Sequence, residues 1–228
     1  MAKISHIKSI KKVSNTSKRY DIEVDETHNF YANGLLVHNS NFQFGYIPNL
    51  NHPECFFDHN IYVCSKGLGA QGLVFKDNEA NDRNLYVVAL RAMLDNGLGE
   101  RLAAIGEPVR IFAEIFGIGV QDLAYGQKKA TLRAFDIKVG ERFLGRDEFV
   151  SMAAQLEIET VPVLYRGPFS LTELIKYRDG KDTISGTHVR EGIVIRSIVE
   201  RDHLIHGRVI SKLVSPEYHT RKNGTEFN

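Results

Sequence analysis

The chain has 228 residues, 43% hydrophobic and 25% charged, with a net charge of +1. That length holds one large domain or two smaller ones, the composition is ordinary for a globular protein, and the overall charge selects no partner. No apolar run approaches the ~18–20 residues of a membrane helix, so no membrane association is expected. The start, Met1-Ala2-Lys3-Ile4-Ser5-His6, lacks the apolar core of a secretory signal. Cys55 and Cys64 have neither metal-ligand nor redox spacing, which fits a reducing, cytoplasmic setting.

Residues 1–19 carry six Lys or Arg and no acid. A one-sign block of this kind is a solvated tail or an arm that steers toward an acidic partner. Tyr20-Asp21-Ile22-Glu23-Val24 alternates like a half-buried strand. Phe30-Tyr31-Ala32 and Leu35-Leu36-Val37 flank Asn33-Gly34, the dipeptide of a type I′ hairpin. Short strands and one hairpin are too little to close a core alone.

Val37-His38-Asn39-Ser40 ends this head. An Asn amide can attack its own carbonyl carbon, closing a succinimide and breaking the bond to the next residue. A preceding His can protonate the leaving nitrogen, and a following Ser can accept an acyl group.

The ordered set Asp21, His28-Asn29-Phe30, Asn33-Gly34, His38, Asn39 and Ser40 resembles the C-terminal splicing blocks of an intein of the Hint fold. The resemblance covers residues 1–39 and the first residue beyond. It implies catalytic roles for Asp21, His28, His38, Asn39 and Ser40. With Met1 only 39 residues ahead of Ser40, no N-terminal intein half is expected in this chain. The implied object is the C-terminal piece of a split intein, whose basic head would dock on an acidic N-terminal piece.

The pattern changes from Ser40 onward. Strands are expected at 41–46, 61–65, 72–75, 109–117, 131–139, 191–196 and 208–213. Helices are expected within 85–105, broken at Gly97 and Gly99, over 146–158, and after the capping box Ser170-Leu-Thr-Glu173. Many strands with irregularly interspersed helices argue an α+β fold.

Glu114, Asp136, Glu191 and Lys212 each interrupt an apolar strand, where a charge needs a partner, a metal or a ligand. Each alone reads equally as a paired or edge-strand charge. Together, with Phe135 beside Asp136, they outline one polar site of acids for a divalent metal and a lysine for phosphate.

This set resembles the covalent nucleotidyltransferases, most closely the nick-sealing RNA ligases. The family order is Lys-x-x-Gly-(Ser/Thr)-Asn, a strand ending Gly-Glu, a Phe-Asp-Ile strand, Glu-Gly-hydrophobic-Val, and a Lys-bearing strand. Ser40-Asn41-Phe42, Ala113-Glu114, Phe135-Asp136-Ile137, Glu191-Gly192-Ile193-Val194 and Lys212 follow that order. Three features depart from it. The AMP-accepting lysine is absent, Ala113 replaces a glycine, and a second lysine on the last strand is missing, with Arg208 as a substitute.

The resemblance implies an incomplete nucleotidyltransferase domain over residues 40–228, built of antiparallel sheets with flanking helices. It implies ATP and Mg2+ or Mn2+ as cofactors and RNA as the final substrate. Phe135 would stack on adenine and Asp136 would line the same pocket. Glu114 would contact the ribose or a metal, Glu191 would hold the metal, and Lys212 would contact the AMP phosphate. Ser40 would then serve splicing first and nucleotide binding afterwards, with the missing lysine delivered by the N-terminal polypeptide. DNA ligases and capping guanylyltransferases share the motif order and remain alternatives, as does a nucleic-acid-binding module whose ligase motifs have decayed. Between Arg190 and Lys222, seven Lys or Arg face four acids, an excess expected to grip a phosphate backbone in a bacterial or phage-infected cell.

Overall fold

The alternation at Tyr20-Asp-Ile-Glu-Val does give a strand. The computed structural model describes residues 7–12, 20–24, 29–33, 41–49, 57–65, 73–120 and 124–221. In the head, β1 (Ile7–Lys12) pairs antiparallel with β2 (Tyr20–Val24), and β3 (Asn29–Asn33) stands apart from them. Both edges of β3 are hydrogen-bonded to strands from the far end of the chain, and Gly34 and the second strand of the expected Asn33-Gly34 hairpin lie outside the described residues. The segment 34–40 itself lies outside the described residues.

The first body strands are β4 (Asn41–Tyr46), β5 (Ile61–Ser65) and β6 (Leu73–Val74). Two helices follow, α1 (Leu85–Leu94) and α2 (Leu98–Ala103). Asn84 caps α1 by accepting from the Tyr86 and Val87 amides. Gly97, at φ +78°, breaks the two helices apart where a side chain would be strained, whereas Gly99 sits buried inside α2. Then come β7 (Val109–Phe116), β8 (Thr131–Val139), β9 (Arg142–Phe143) and α3 (Arg146–Gln155).

These six strands form one antiparallel sheet in the order β6-β5-β4-β7-β8-β9. One face carries Phe42, Phe44, Ile111, Ala113, Ala134 and Ile137, on which Val87, Leu90, Leu98, Leu102 and Phe149 of α1–α3 pack to form the main core. Each of the fully buried large side chains contributes about 1.5–3 kcal/mol relative to exposure. Cys64 is a buried free thiol in this sheet, its pKa raised by burial. Cys55 lies outside the described residues.

The remaining elements are β10 (Val163–Pro168), α4 (Leu171–Arg178), β11 (Gly192–Ser197), β12 (Asp202–His203), β13 (Gly207–Arg208), β14 (Ile210–Val214) and α5 (Pro216–His219). Ser170 caps α4 by accepting from the Glu173 amide, as the capping signal predicts. A second antiparallel sheet runs β10-β3-β11-β14. Ile193 and Ile195 of β11 pack with Leu174 of α4 on its outer face. A third cluster, Phe116, Tyr125, Val161 and Tyr218 with Phe135 and Val214 against it, joins residues of both sheets. Helices thus cover the outer faces and leave a layer between the sheets. Among the described residues, no helix is long and apolar enough to cross a membrane.

Candidate functional site

The layer between the sheets receives the residues that the core alternation turns away from α1–α3. On β7, Val109, Ile111, Ala113 and Ile115 face the helices, so Phe112, Glu114 and Phe116 face the opposite way. On β8 the pattern slips. Phe112 stands opposite Asp136 and Ala113 opposite Ala134, leaving Phe135 as an extra residue in a bulge. The bulge lets Ala134 and Ile137 both enter the main core while Phe135 and Asp136 turn toward the layer. Phe135 is half-buried there, with its ring 6.4 Å from that of Phe112.

Arg196 of β11 holds this bulge from the other sheet. Its guanidinium donates to the Phe135 carbonyl at 2.9 Å, to the Asp136 carboxylate at 3.1 Å and to Glu200 at 3.0 Å. Arg208 adds bonds of 2.6 Å to Asp136 and of 2.7 and 2.8 Å to Glu200. Its guanidinium also lies 3.5 Å over the Phe143 ring. Burial pushes the Glu200 carboxyl upward, but Arg208 and then Arg196 outweigh it and leave its pKa below the ordinary value. Arg208 is likewise penalised first by burial and then held charged by Glu200 and Asp136. Two cations and two anions therefore neutralise one another where the sheets meet. Asp136 is thus part of a cross-sheet clamp, and Arg208 is committed to that clamp rather than standing in for a second lysine on β14.

Glu191 immediately precedes β11 and is 2% exposed. Its carbonyl accepts from the Ser215 amide at 2.8 Å, and its carboxylate accepts from the Tyr125 hydroxyl at 3.3 Å. Tyr125 has φ +49°, a left-handed conformation that costs a residue of this kind about 1–3 kcal/mol. Its ring is edge-on to Phe116 and to His188, which fixes the hydroxyl toward Glu191. The loop before Glu191 is wound on Asp182, which accepts from the amides of Ile184, Ser185, Gly186, Thr187 and His188 and from the Ser185 hydroxyl.

Glu114 is also buried, at 8% exposure, opposite Arg133 on β8 and Asn41 on β4. It is close enough to Tyr86 to add to the burial that raises that phenol's pKa. Lys212 is exposed on β14, directly opposite Val194. Cross-strand partners share a face, so Lys212 leaves the sheet on the side of Val194 and Arg196, toward the layer. Asp21 lies in β2 opposite Lys11. His28, His38, Asn39 and Ser40 lie outside the described residues.

Glu114 and Glu191 offer hard oxygen donors to a divalent cation. Among the described residues no three His, Cys, Asp or Glu side chains converge as a metal cage. The set fits Mg2+ or Mn2+ held by one or two carboxylates and completed by phosphate and water, the usual arrangement for a nucleotide-bound metal.

The basic excess after Arg190 is not a free face. Arg190 donates to the carbonyls of Tyr177, Asp179 and Lys181, Arg196 and Arg208 belong to the clamp, and Arg221 lies 3.7 Å over the Tyr218 ring. A cleft of about 990 Å³ beside the clamp is lined by Lys138, Arg142, Arg146 and Arg201 but equally by Glu107, Glu141, Asp147 and Glu148.

Residues 37–214 match the family model described as RNA ligase. The chain belongs to the RNA ligase family. Solved structures of Naegleria gruberi RNA ligase share its fold. One variant with ATP and manganese matches at 18% identity and a TM-score of 0.63, over 84% of this chain and 51% of that one. Another with AMP and manganese matches at 19% and 0.62, and the enzyme with pyrophosphate at 19% and 0.62. The chain thus spans about half the length of these ligases. A DNA polymerase of Thermococcus litoralis is 44% identical over 43 residues, 19% of this chain and 2% of that protein.

The order Glu114, Phe135, Glu191, Lys212 was readable from the sequence of this RNA ligase-family chain. Arg196, Glu200, Tyr125 and Asp182 were not. Arg196 had the same mark as the others, a charge ending the apolar run Ile193-Val-Ile.

Proposed function

We propose that this chain is the C-terminal half of an ATP-dependent RNA ligase, preceded by the C-terminal fragment of a split intein that joins it to its N-terminal half. The observation that carries this reading is at the junction. Counting back from Ser40-Asn41 in the pattern Lys-x-x-Gly-Ser-Asn puts Leu36 at the lysine position, although the rest of the ligase order follows. An isobutyl group cannot accept AMP, so the nucleophile has to come from another polypeptide.

The head supplies the means. Asn39 cyclises to release residues 1–39, His38 protonates the leaving amine, and Ser40 accepts the incoming acyl group before it shifts to the backbone. The match to a DNA polymerase spans 43 residues, close to the 39 of this head. A short stretch shared by a polymerase and a ligase-family chain is compatible with a self-excising element carried by both.

After splicing, the residues of the layer position the reaction. Phe135 stacks on the adenine, Lys212 neutralises the AMP phosphate, and Glu114 and Glu191 hold the ribose and the divalent ion that offsets phosphate charge. The RNA 5′-phosphate then receives AMP, and attack by the 3′-hydroxyl seals the ends. The reaction belongs in the cytoplasm, where ATP and RNA ends meet.

The test is to mix the chain with its N-terminal polypeptide and follow mass and labelled ATP. Residues 1–39 should be released, residues 40–228 should join the partner, and only the product should take up label. Asn39→Ala should block release. Full-rate cleavage in that variant, or an unlabelled product, removes the corresponding half of the reading. An unlabelled product favours the second reading, a nucleic-acid-binding module with decayed motifs, to which Ala113 and the commitment of Arg208 to the clamp lend support.

A further inference from the structure

The four-stranded sheet is closed by a strand that splicing discards. In the order β10-β3-β11-β14, β3 is the sole link between β10 and the rest of the sheet. It is antiparallel to both neighbours, with Asn29 to Asn33 running opposite Pro168 to Val163 on one side and Phe30 to Asn33 opposite Ser197 to Val194 on the other. Without it, β10 and β11 would each present a row of unpaired N–H and C=O groups, separated by the width of one strand. The body cannot heal that gap from its own described strands. β14 already fills the far edge of β11, and β10 ends at Pro168, which has no N–H to donate.

We propose that the gap between β10 and β11 is a strand-exchange site, held before splicing by β3 of the head and filled afterwards by an antiparallel strand of the N-terminal polypeptide. The identity of the incoming strand rests on the trans-splicing reading; the exchange itself does not. Main-chain bonds supply the affinity of such an added strand, so any short extended segment of suitable side chains competes for it. The position of the gap gives the exchange a consequence for the site. β3 ends at Asn33, opposite Val194 three residues after Glu191, and β4 begins at Asn41, opposite Glu114. The strand in the gap is therefore next in the chain to the stretch that should carry the lysine of the ligase pattern. In this chain Leu36 stands at that position. A strand of the partner in the gap would be followed by the partner's lysine instead. The head thus completes the sheet without supplying the nucleophile.

The test uses the full chain and needs no splicing. In hydrogen–deuterium exchange, the amides of Val163–Gly167 that bond to β3 should be protected in the native chain. Tyr31→Pro in β3 should raise their exchange at least tenfold while α1–α3 and β7–β8 keep their protection. A synthetic peptide of residues 27–35 added in excess should restore protection of β10, and a scrambled peptide should not. Unchanged β10 protection in Tyr31→Pro, or no response to the peptide, overturns the proposal. If Tyr31→Pro loses protection everywhere, the pair Tyr31→Cys with Arg166→Cys decides. These positions are directly opposed, so oxidation should form a disulfide, which should also abolish uptake of the labelled peptide until reductant is added. Failure to form the bond, or uptake by the oxidised chain, overturns it equally. A chain that exchanges the peptide yet does not splice with its N-terminal polypeptide removes the splicing reading alone.

Discussion

Arg196 and Asp136 meet at 3.1 Å across the two sheets, with both side chains only 4% exposed. Removing one partner of a buried pair leaves a desolvated charge behind, which typically costs about 3–5 kcal/mol. Asp136→Ala removes one of the three hydrogen bonds of Arg196 and one of the three of Arg208, leaving both cations on the single carboxylate of Glu200, and should lower stability by about that amount in urea unfolding. Arg166→Ala removes an exposed pair with Asp147 and should leave the midpoint nearly unmoved. A fall of less than about 1 kcal/mol for Asp136→Ala would mean that the clamp does not hold the sheets together.

Asp182 makes stability depend on acid. Burial alone would raise its pKa, but the amides of Ser185, His188 and Ile184 and the Ser185 hydroxyl outweigh that and bring it from 3.8 down to about 2. A depressed folded value means that the unfolded chain binds the proton first. The stabilisation is therefore complete above about pH 4 and is lost as pH falls toward 2. Asp182→Asn keeps the shape without the charge. Its urea midpoint should lie below the native one at neutral pH, and the two should converge between pH 4 and 2. A constant difference across that range would assign the loop's stability to something other than this carboxylate.

How much the sequence disclosed depended on whether a residue's partner lay nearby. Asn41–Tyr46, Ile61–Ser65 and Thr131–Val139 form strands with the expected bounds, because period-two alternation is a local signal. The helix break at Gly97 and the Ser170 cap are local for the same reason. The strand at Asn29–Asn33 shows the opposite case, because no local pattern says which strands will flank it. The edges of β3 are taken by strands more than 120 residues away in the chain. Asp136 was visible as an unexpected charge. Its partners sit 60 and 72 residues on, at distances that no spacing rule connects.

Gly192 explains the glycine after Glu191. It has φ +148°, and a Cβ there would fall 2.0 Å from the Leu213 carbonyl oxygen of β14. The strand carrying Lys212 approaches the backbone after Glu191 so closely that no side chain fits between them. Gly192→Ala should push β14 away, and the affected groups are backbone rather than a flexible side-chain tip. We expect a loss above 2 kcal/mol, about what overpacking with added backbone strain costs. Deuterium exchange should quicken most at Ile210–Val214. Equal quickening across both sheets would point instead to general unfolding.

Lys212 offers the sharpest separation of binding from folding. It is exposed at the sheet edge, so Lys212→Ala removes no core packing and should leave the urea midpoint within about 0.5 kcal/mol of the native chain. In the product that the proposed splicing would give, it should nevertheless reduce AMP uptake by about a hundredfold, the scale on which removing one positioned charge from a developing phosphate charge acts. Lys212→Arg should recover part of that, because the charge returns on a bulkier and differently directed fork. Glu191→Gln provides the complement. It keeps an oxygen to accept from Tyr125 but removes the charge proposed to hold a divalent ion, so on that proposal its defect should ease as Mn2+ is raised. The Lys212→Ala defect should not respond to metal. If both variants respond alike, the two residues do not divide the phosphate and the metal between them, and the assignment of roles across the layer is wrong.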